Sequence, residues 1–456
     1  MTMSRKVRFW EIRQNTSSKR KKTYEVRWKV DGRERSRTFA GKTLAKNFLL
    51  DLELAAKRGE EFEVESGLPE SMLKAKKSAT WLEFSLAYVD MKWPYAAPNS
   101  RDGLTETLAT VAPVLVRDDA PEAPEANVMR TALRAYYLAP KDRKRPRPAE
   151  ISEALSWLEK SSLTLDEVYE RRNVRAALNA LTLRLDGLPA AASTVARKRA
   201  VLYNAFEYAV ELEEFERNPI DKVKWTAPKL AEEVDWRVVI GPRQMRECLT
   251  AVTYVGKRGR GRRLRALYAC MYYAALRPAE AVALHKDDCH LPATGWGRLV
   301  LTRSLPETGS RWTDSGSTHE QRGLKLRPAN EIRTVPIPPV LVEILREHMA
   351  EFGTAEDGRI FQTERGGIVG STAYGDVWAA TRALALMPDQ VVSPLARRPY
   401  DLRHAGVSLW LNSGVPATEV AERAGHSVKV LLQIYAKCID GQQDRANKRI
   451  DDALDD

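Results

Sequence analysis

The hydrophobic period of this chain changes once, near residue 40, and that change limits the fold more than any other feature. Apolar and polar residues alternate through 5–13 and 23–30, as they do in strands with one buried face. Asp31-Gly32 marks a tight turn into a third strand over 34–39. After it, Leu44, Phe48, Leu49, Leu52 and Leu54 make the apolar stripe of a helix, and helical spacing then prevails. A small three-stranded sheet with one helix is expected, its packing anchored by Trp10 and Trp28 rather than leaving them as base-stacking platforms.

The rest of the 456 residues is long enough for further domains with their own cores. Five segments are expected: a basic module over 1–62, a charged linker over 63–78, an all-helical domain over 79–225, a second linker over 226–236, and a catalytic domain with a tail over 237–456. The last is read as mixed α+β and mainly helical. Strand-like runs fall at 298–302 and 332–337, and helices at about 262–275, 339–350, 371–385, 401–412, 416–424 and 428–437.

Charge is distributed unevenly. Residues 1–46 hold 15 Lys/Arg against 4 Asp/Glu, a surplus of 11 out of +12 for the whole chain. A basic module that also has the pattern of a folded unit implies a polyanionic partner, with nucleic acid expected, and its Arg and Lys residues could lie along a DNA groove. Candidate phosphate contacts are Lys19, Arg20, Lys21 and Lys22 in the first turn, and Arg197, Lys198 and Arg199 on the helix over 193–210. The latter three read equally well as a solvated outer face. No apolar run suits a membrane span, and no segment has signal-peptide character. The scattered Cys248, Cys270, Cys289 and Cys438 read as reduced thiols, so a cytoplasm is expected. His285, Cys289 and His290 lack a second ligand pair at zinc spacing, and no metal or other cofactor is expected.

Breaking a phosphodiester without metal needs cations for the charge on phosphorus oxygens, a nucleophile, and a proton donor for the departing oxygen. Arginine suits the first role because its planar fork donates paired hydrogen bonds. The C-terminal half offers Ala275-Leu276-Arg277-Pro278-Ala279-Glu280, Tyr400-Asp401-Leu402-Arg403-His404, Ala424-Gly425-His426-Ser427 and Leu432-Gln433-Ile434-Tyr435. Pro278 fits the first position of a helix, and Glu280 shares a helix face with Arg277.

In this order, with Tyr435 nine residues after His426, the four boxes resemble the tyrosine recombinases of the phage-integrase type. The resemblance is good over about 237–440, looser over the helical region, and one of pattern only in the basic module. It implies that Arg277 and Arg403 clamp the scissile phosphate and that His426 hydrogen-bonds it. It also implies that Tyr435 attacks to give a 3′-phosphotyrosyl link and that Lys325 protonates the 5′-oxygen. Glu280 would orient a neighbour, and His404, next to Arg403, would pack or buttress rather than react. The family usually has His three residues before the second arginine, where this chain has Tyr400. Tyr400 can donate to phosphate but brings no imidazole, so the motif names no base for Tyr435. The resemblance further implies a homo-tetramer on double-stranded DNA attachment sites and directionality factors from phage or host. The element would be a phage or mobile element, and the high Ala and Arg content hints at a GC-rich, actinobacterial type of host. A type IB topoisomerase-like relaxase and a DNA-binding protein with impaired catalysis are the rival expectations.

Overall fold

The structure, a computed structural model, describes residues 2–16, 22–39, 41–75, 79–229, 234–324 and 331–435, with Cys438, Asn447, Ile450, Asp451 and Leu454 beyond them. It divides into two compact units. One comprises Met1–Pro94, Thr105–Ala190 and Arg197–Thr226; the other comprises Tyr95–Leu104, Ala191–Ala196 and Ala227–Asp456.

The first unit opens on a sheet whose central strand is Lys22–Val30, paired antiparallel with Arg33–Phe39. Asp31 and Gly32 join them with φ of 45° and 88°, the two positive values of a type I′ hairpin turn. On the other edge, the single strand expected over 5–13 is two, Val7–Phe9 and Arg13–Thr16. Phe9 pairs with Trp28 and Arg13 with Glu25, so the outer strand has one residue more than its partner between these pairs. That extra residue is a β-bulge, which breaks one strand into two. The sheet therefore has four strands where three were expected.

Val26, Trp28 and Val30 alternate onto one face and meet Ala45, Leu52 and Ala55 of the helix Lys42–Lys57. Phe62, Val64 and Leu68 join the same core, and Trp28 Nε1 donates to the Gly67 carbonyl at 2.5 Å. The stretch expected as a linker from residue 63 thus begins inside packed structure. Arg8, Arg13, Arg27 and Lys29 lie on the outer sheet face, whereas Arg35 and Arg37 oppose Trp28 and Val26 in register and lie on the core side. Arg37 stacks over Phe48 at 5.1 Å.

The helical part of this unit includes Trp81–Lys92, started by a reciprocal cap. Glu83 N donates to Thr80 Oγ1 at 3.2 Å, and Thr80 N donates to Glu83 Oε2 at 2.9 Å. Trp81 packs edge-on against Phe206 at 5.7 Å. Lys198 points inward and is buried, donating to Thr110 Oγ1 at 2.9 Å and reaching Glu106 at 3.4 Å. That ion pair removes Lys198 from the expected phosphate contacts. Arg197 is exposed, and Arg199 lies over Tyr203.

The second unit is built around the helix Arg260–Tyr273, buried on every side from Ala266 to Tyr272. A helix without a polar face must be central. The helices Pro339–Phe352, Ser371–Ala385 and Asp401–Asn412 surround it. Cys289–His290, Gly297–Leu301 and Arg333–Ile337 form an antiparallel sheet. Leu299, Leu301, Val335 and Ile337 face the core, and so does Arg333. No described helix is long and apolar enough to cross a membrane.

Candidate active site

Pro278–Val282 is a short helix that starts at Arg277, with Pro278 at its first position. Arg277 N donates to Glu280 Oε2 at 2.9 Å, and Arg277 Nη1 donates to Glu280 Oε1 at 2.8 Å. The arginine is therefore set by its own helix start. Just before it, Ala275 holds a φ of 47°, uncommon for a residue with a Cβ. The Ala275 carbonyl accepts from Arg403 Nη1.

Arg403 lies on the helix Asp401–Asn412 and is fully buried. That helix comes so near the central one that a Cβ on Gly406 would meet the Tyr272 carbonyl. Arg403 Nη2 donates to the Ala424 carbonyl and to His426 Nε2, the latter at 2.9 Å. Guanidinium has no acceptor, so His426 Nε2 must carry the lone pair and Nδ1 the proton. Gly425 ends the helix Ala417–Ala424 in the left-handed region at φ 66°. Its carbonyl accepts from Arg277 Nη2 at 2.9 Å.

Glu280 is 2% exposed and joins this cluster. Arg333 reaches both its oxygens, Nη1 at 3.0 Å and Nη2 at 2.7 Å. Burial alone would raise the Glu280 pKa, but Arg333, Arg277 and Arg403 hold it at about 2. Burial, helped by Arg277, lowers Arg403 to about 10. Burial and the charges of Arg403, Arg277 and Arg333 bring His426 down to about 3, so its ring is neutral at pH 7. Within this cluster Arg403 Nε, Arg333 Nε and His426 Nδ1 are buried without a hydrogen-bond partner, as are polar atoms elsewhere among the described residues, Arg27 Nε and Arg423 Nε included.

Tyr435 ends the helix Val428–Tyr435 and is buried. Its ring lies against His404 at 5.7 Å and stacks on His426 at 6.1 Å. Its hydroxyl is 2.9 Å from His404 Nδ1. Burial raises the phenol above its ordinary value, and Arg403 and Arg277 pull it down. Tyr435 is fully buried and belongs to the hydrophobic core of this unit, with two histidines against its ring and His404 on its hydroxyl.

Arg277, Glu280, Arg403, His426 and Tyr435, named from the sequence, lie together. His404, expected to pack or buttress beside Arg403, packs between Tyr400 and Tyr435 and meets the Tyr435 hydroxyl, because one helical step carries its side chain to another face than Arg403. Tyr400 packs its ring on His404 at 5.2 Å. Lys325, Lys19, Arg20 and Lys21 lie outside the described residues, whereas Lys22 opens the central strand of the first sheet and is exposed. Arg333 was missed. Its signal was a charged residue in phase with Val335 and Ile337 on the buried face of a strand.

No protein-family model matches this chain. It is 23% identical over 262 residues to a XerC-like tyrosine recombinase of Caldanaerobacter subterraneus subsp. tengcongensis, covering 54% of this chain and 63% of that one. It is 26% identical over 246 residues to a probable integrase of prophage ps2 in Lactococcus lactis, covering 51% and 60%. Over 125 residues it is 32% identical to an integrase of Streptomyces ambofaciens, covering 26% and 32%. The chain thus spans less than two thirds of the length of each of these relatives. Among solved structures, it is similar in fold to the Tn1549 transposon integrase in complex with transposon right end DNA. The TM-score is 0.52 and the identity 14%, covering 82% of this chain and 99% of that one.

Proposed function

We infer that this chain is a tyrosine recombinase of the integrase type, and that it cleaves and rejoins DNA at specific sites through a covalent bond to Tyr435. One observation carries the reading: Arg277, Arg403, His426 and Tyr435, spread over about 160 positions, meet in one cluster. The relatives and the shared fold support it.

In this reading a phosphodiester docks against Arg277, Arg403 and His426. Their donors meet the charge that grows on the phosphorus oxygens as Tyr435 attacks. The 5′-oxygen leaves with a proton from Lys325, and the DNA 3′ end stays on Tyr435. The tyrosyl ester keeps the bond energy, so no nucleotide cofactor is required. The basic module over 1–62 binds distal sites, and the parts over 79–225 and 237–456 hold the core site. Four protomers on two duplexes of a phage or mobile element, steered by accessory factors, complete the proposed assembly.

A suicide duplex with a nick beside the cleavage point tests this. The native chain is expected to trap a covalent complex, and Tyr435→Phe is expected to trap none; a complex surviving in Tyr435→Phe refutes the assignment. Strand exchange between two labelled duplexes separates recombination from relaxation by a single protomer.

A further inference from the structure

We propose that His404 is the group that takes the phenolic proton from Tyr435 as it attacks. The proposal rests on the reading of Tyr435 as nucleophile. A phenol with a pKa of about 10 is roughly 0.1% ionised at neutral pH, and burial makes Tyr435 a still weaker acid. A base must therefore touch its oxygen.

Among the described residues of the cluster, one acceptor is left for that proton. His426 accepts from Arg403 at Nε2 and carries its own proton on Nδ1, so neither nitrogen is open. Glu280 is taken by Arg277 and Arg333. Asp401, one turn from the site, accepts from Arg398 N at 2.8 Å and from Arg398 Nη2 at 2.9 Å. Tyr400 is itself a phenol. His404 Nδ1 lies 2.9 Å from the Tyr435 hydroxyl, within proton-transfer reach without rearrangement.

The ring is set for this. Burial, with Arg403 and Arg398 acting against Asp401, lowers it to about 4, so it is neutral and has a lone pair at pH 7. A phosphodiester beside Arg277 and Arg403 offsets their charge and makes His404 a stronger base once DNA is bound. His404 is only half-buried, which gives the proton a way out. In the step, Tyr435 Oη bonds to phosphorus while its proton passes to His404 Nδ1. The bond from phosphorus to the 5′-oxygen breaks, its electron pair goes to that oxygen, and the Lys325 ammonium protonates it. Religation reverses each transfer.

The probes are nicked duplexes tiled across the DNA that flanks the encoding gene, assayed in single turnover with the full chain. His404→Ala is expected to slow covalent-complex formation by about 100-fold, with part of the rate restored by added imidazole. The same loss is expected when sulfur replaces the departing 5′-oxygen, because a thiolate leaves without a proton donor and His404 serves the other oxygen. An unchanged rate, a faster one, or a loss that disappears with sulfur overturns the proposal. A native chain that never forms the complex on any probe overturns the reading beneath it. A DNA-free measurement stands apart from both: 15N NMR of the full chain is expected to place the His404 proton on Nε2. A proton on Nδ1 would make the ring a donor to Tyr435 and refute the acceptor role.

Discussion

A carboxylate shut away from water needs cations at contact distance, and Glu280 has two guanidinium groups. Removing it leaves the buried Arg333 charge without its carboxylate and takes the ion pair from Arg277, which keeps the Gly425 carbonyl. Glu280→Ala is therefore expected to cost about 3–5 kcal/mol in urea denaturation, with a smaller loss for Glu280→Gln, which keeps the shape. The neutral imidazoles give a second prediction at this scale. His404 and His426 have folded values of about 4 and 3 against 6.5 for the free side chain. The unfolded chain thus binds these protons first. Their stabilising effect is complete above about pH 6.5 and drains away as the pH falls towards 4 and 3. Glu280 adds a loss of the same sign between 4.5 and about 2. Urea midpoints measured from pH 7.5 to 4.5 should fall on acidification, and the slope should flatten in His404→Gln and His426→Gln.

Two glycines decide how the elements meet. Gly425 is left-handed, and a Cβ there would press on Arg333 Nη1 and lie 3.3 Å from Arg277 Nη1. Gly425→Ala is expected to destabilise by about 1–3 kcal/mol and to lower cleavage by displacing both arginines, measured by urea titration beside the suicide-substrate assay. Gly406 allows the helix bearing Arg403 to lie against the central helix, since a Cβ would strike the Tyr272 carbonyl. Gly406→Ala should separate the Arg403 guanidinium from the Ala275 carbonyl and reduce cleavage even where the fold survives, as judged by circular dichroism. The bulge in the first sheet works in the same way: one extra residue in the outer strand changes which side chains face outward beyond it.

Across the whole molecule the positive charge is concentrated in the first 46 residues, and the outer sheet face presents Arg8, Arg13, Arg27 and Lys29. Backbone-dominated DNA binding loses affinity with salt at a log–log slope of about −0.9 per phosphate neutralised. Replacing these four residues with Ala should flatten that slope by up to about four units while leaving the Tyr435 cluster intact. Titrations of one duplex at several salt concentrations check it, and an unchanged slope would mean that this face carries no phosphate contacts.

Much of this protein was legible in the order of its residues because the relevant forces are local. Alternation and helical spacing revealed the sheet, its hairpin turn and the helices from Pro339 to Tyr435, since each depends on neighbours a few positions away. The boxes holding Arg277, Arg403, His426 and Tyr435 were readable because each lies at or near a helix start or end, which short-range spacing marks. Tertiary structure decided what depends on contacts between distant segments. It turned Lys198 inward onto Glu106 and paired Arg333 with Glu280 across 53 positions. It also brought His404 to the Tyr435 hydroxyl across 31. Those choices follow from burial, which makes an unpaired charge costly and so favours partners wherever the packed chain happens to bring them.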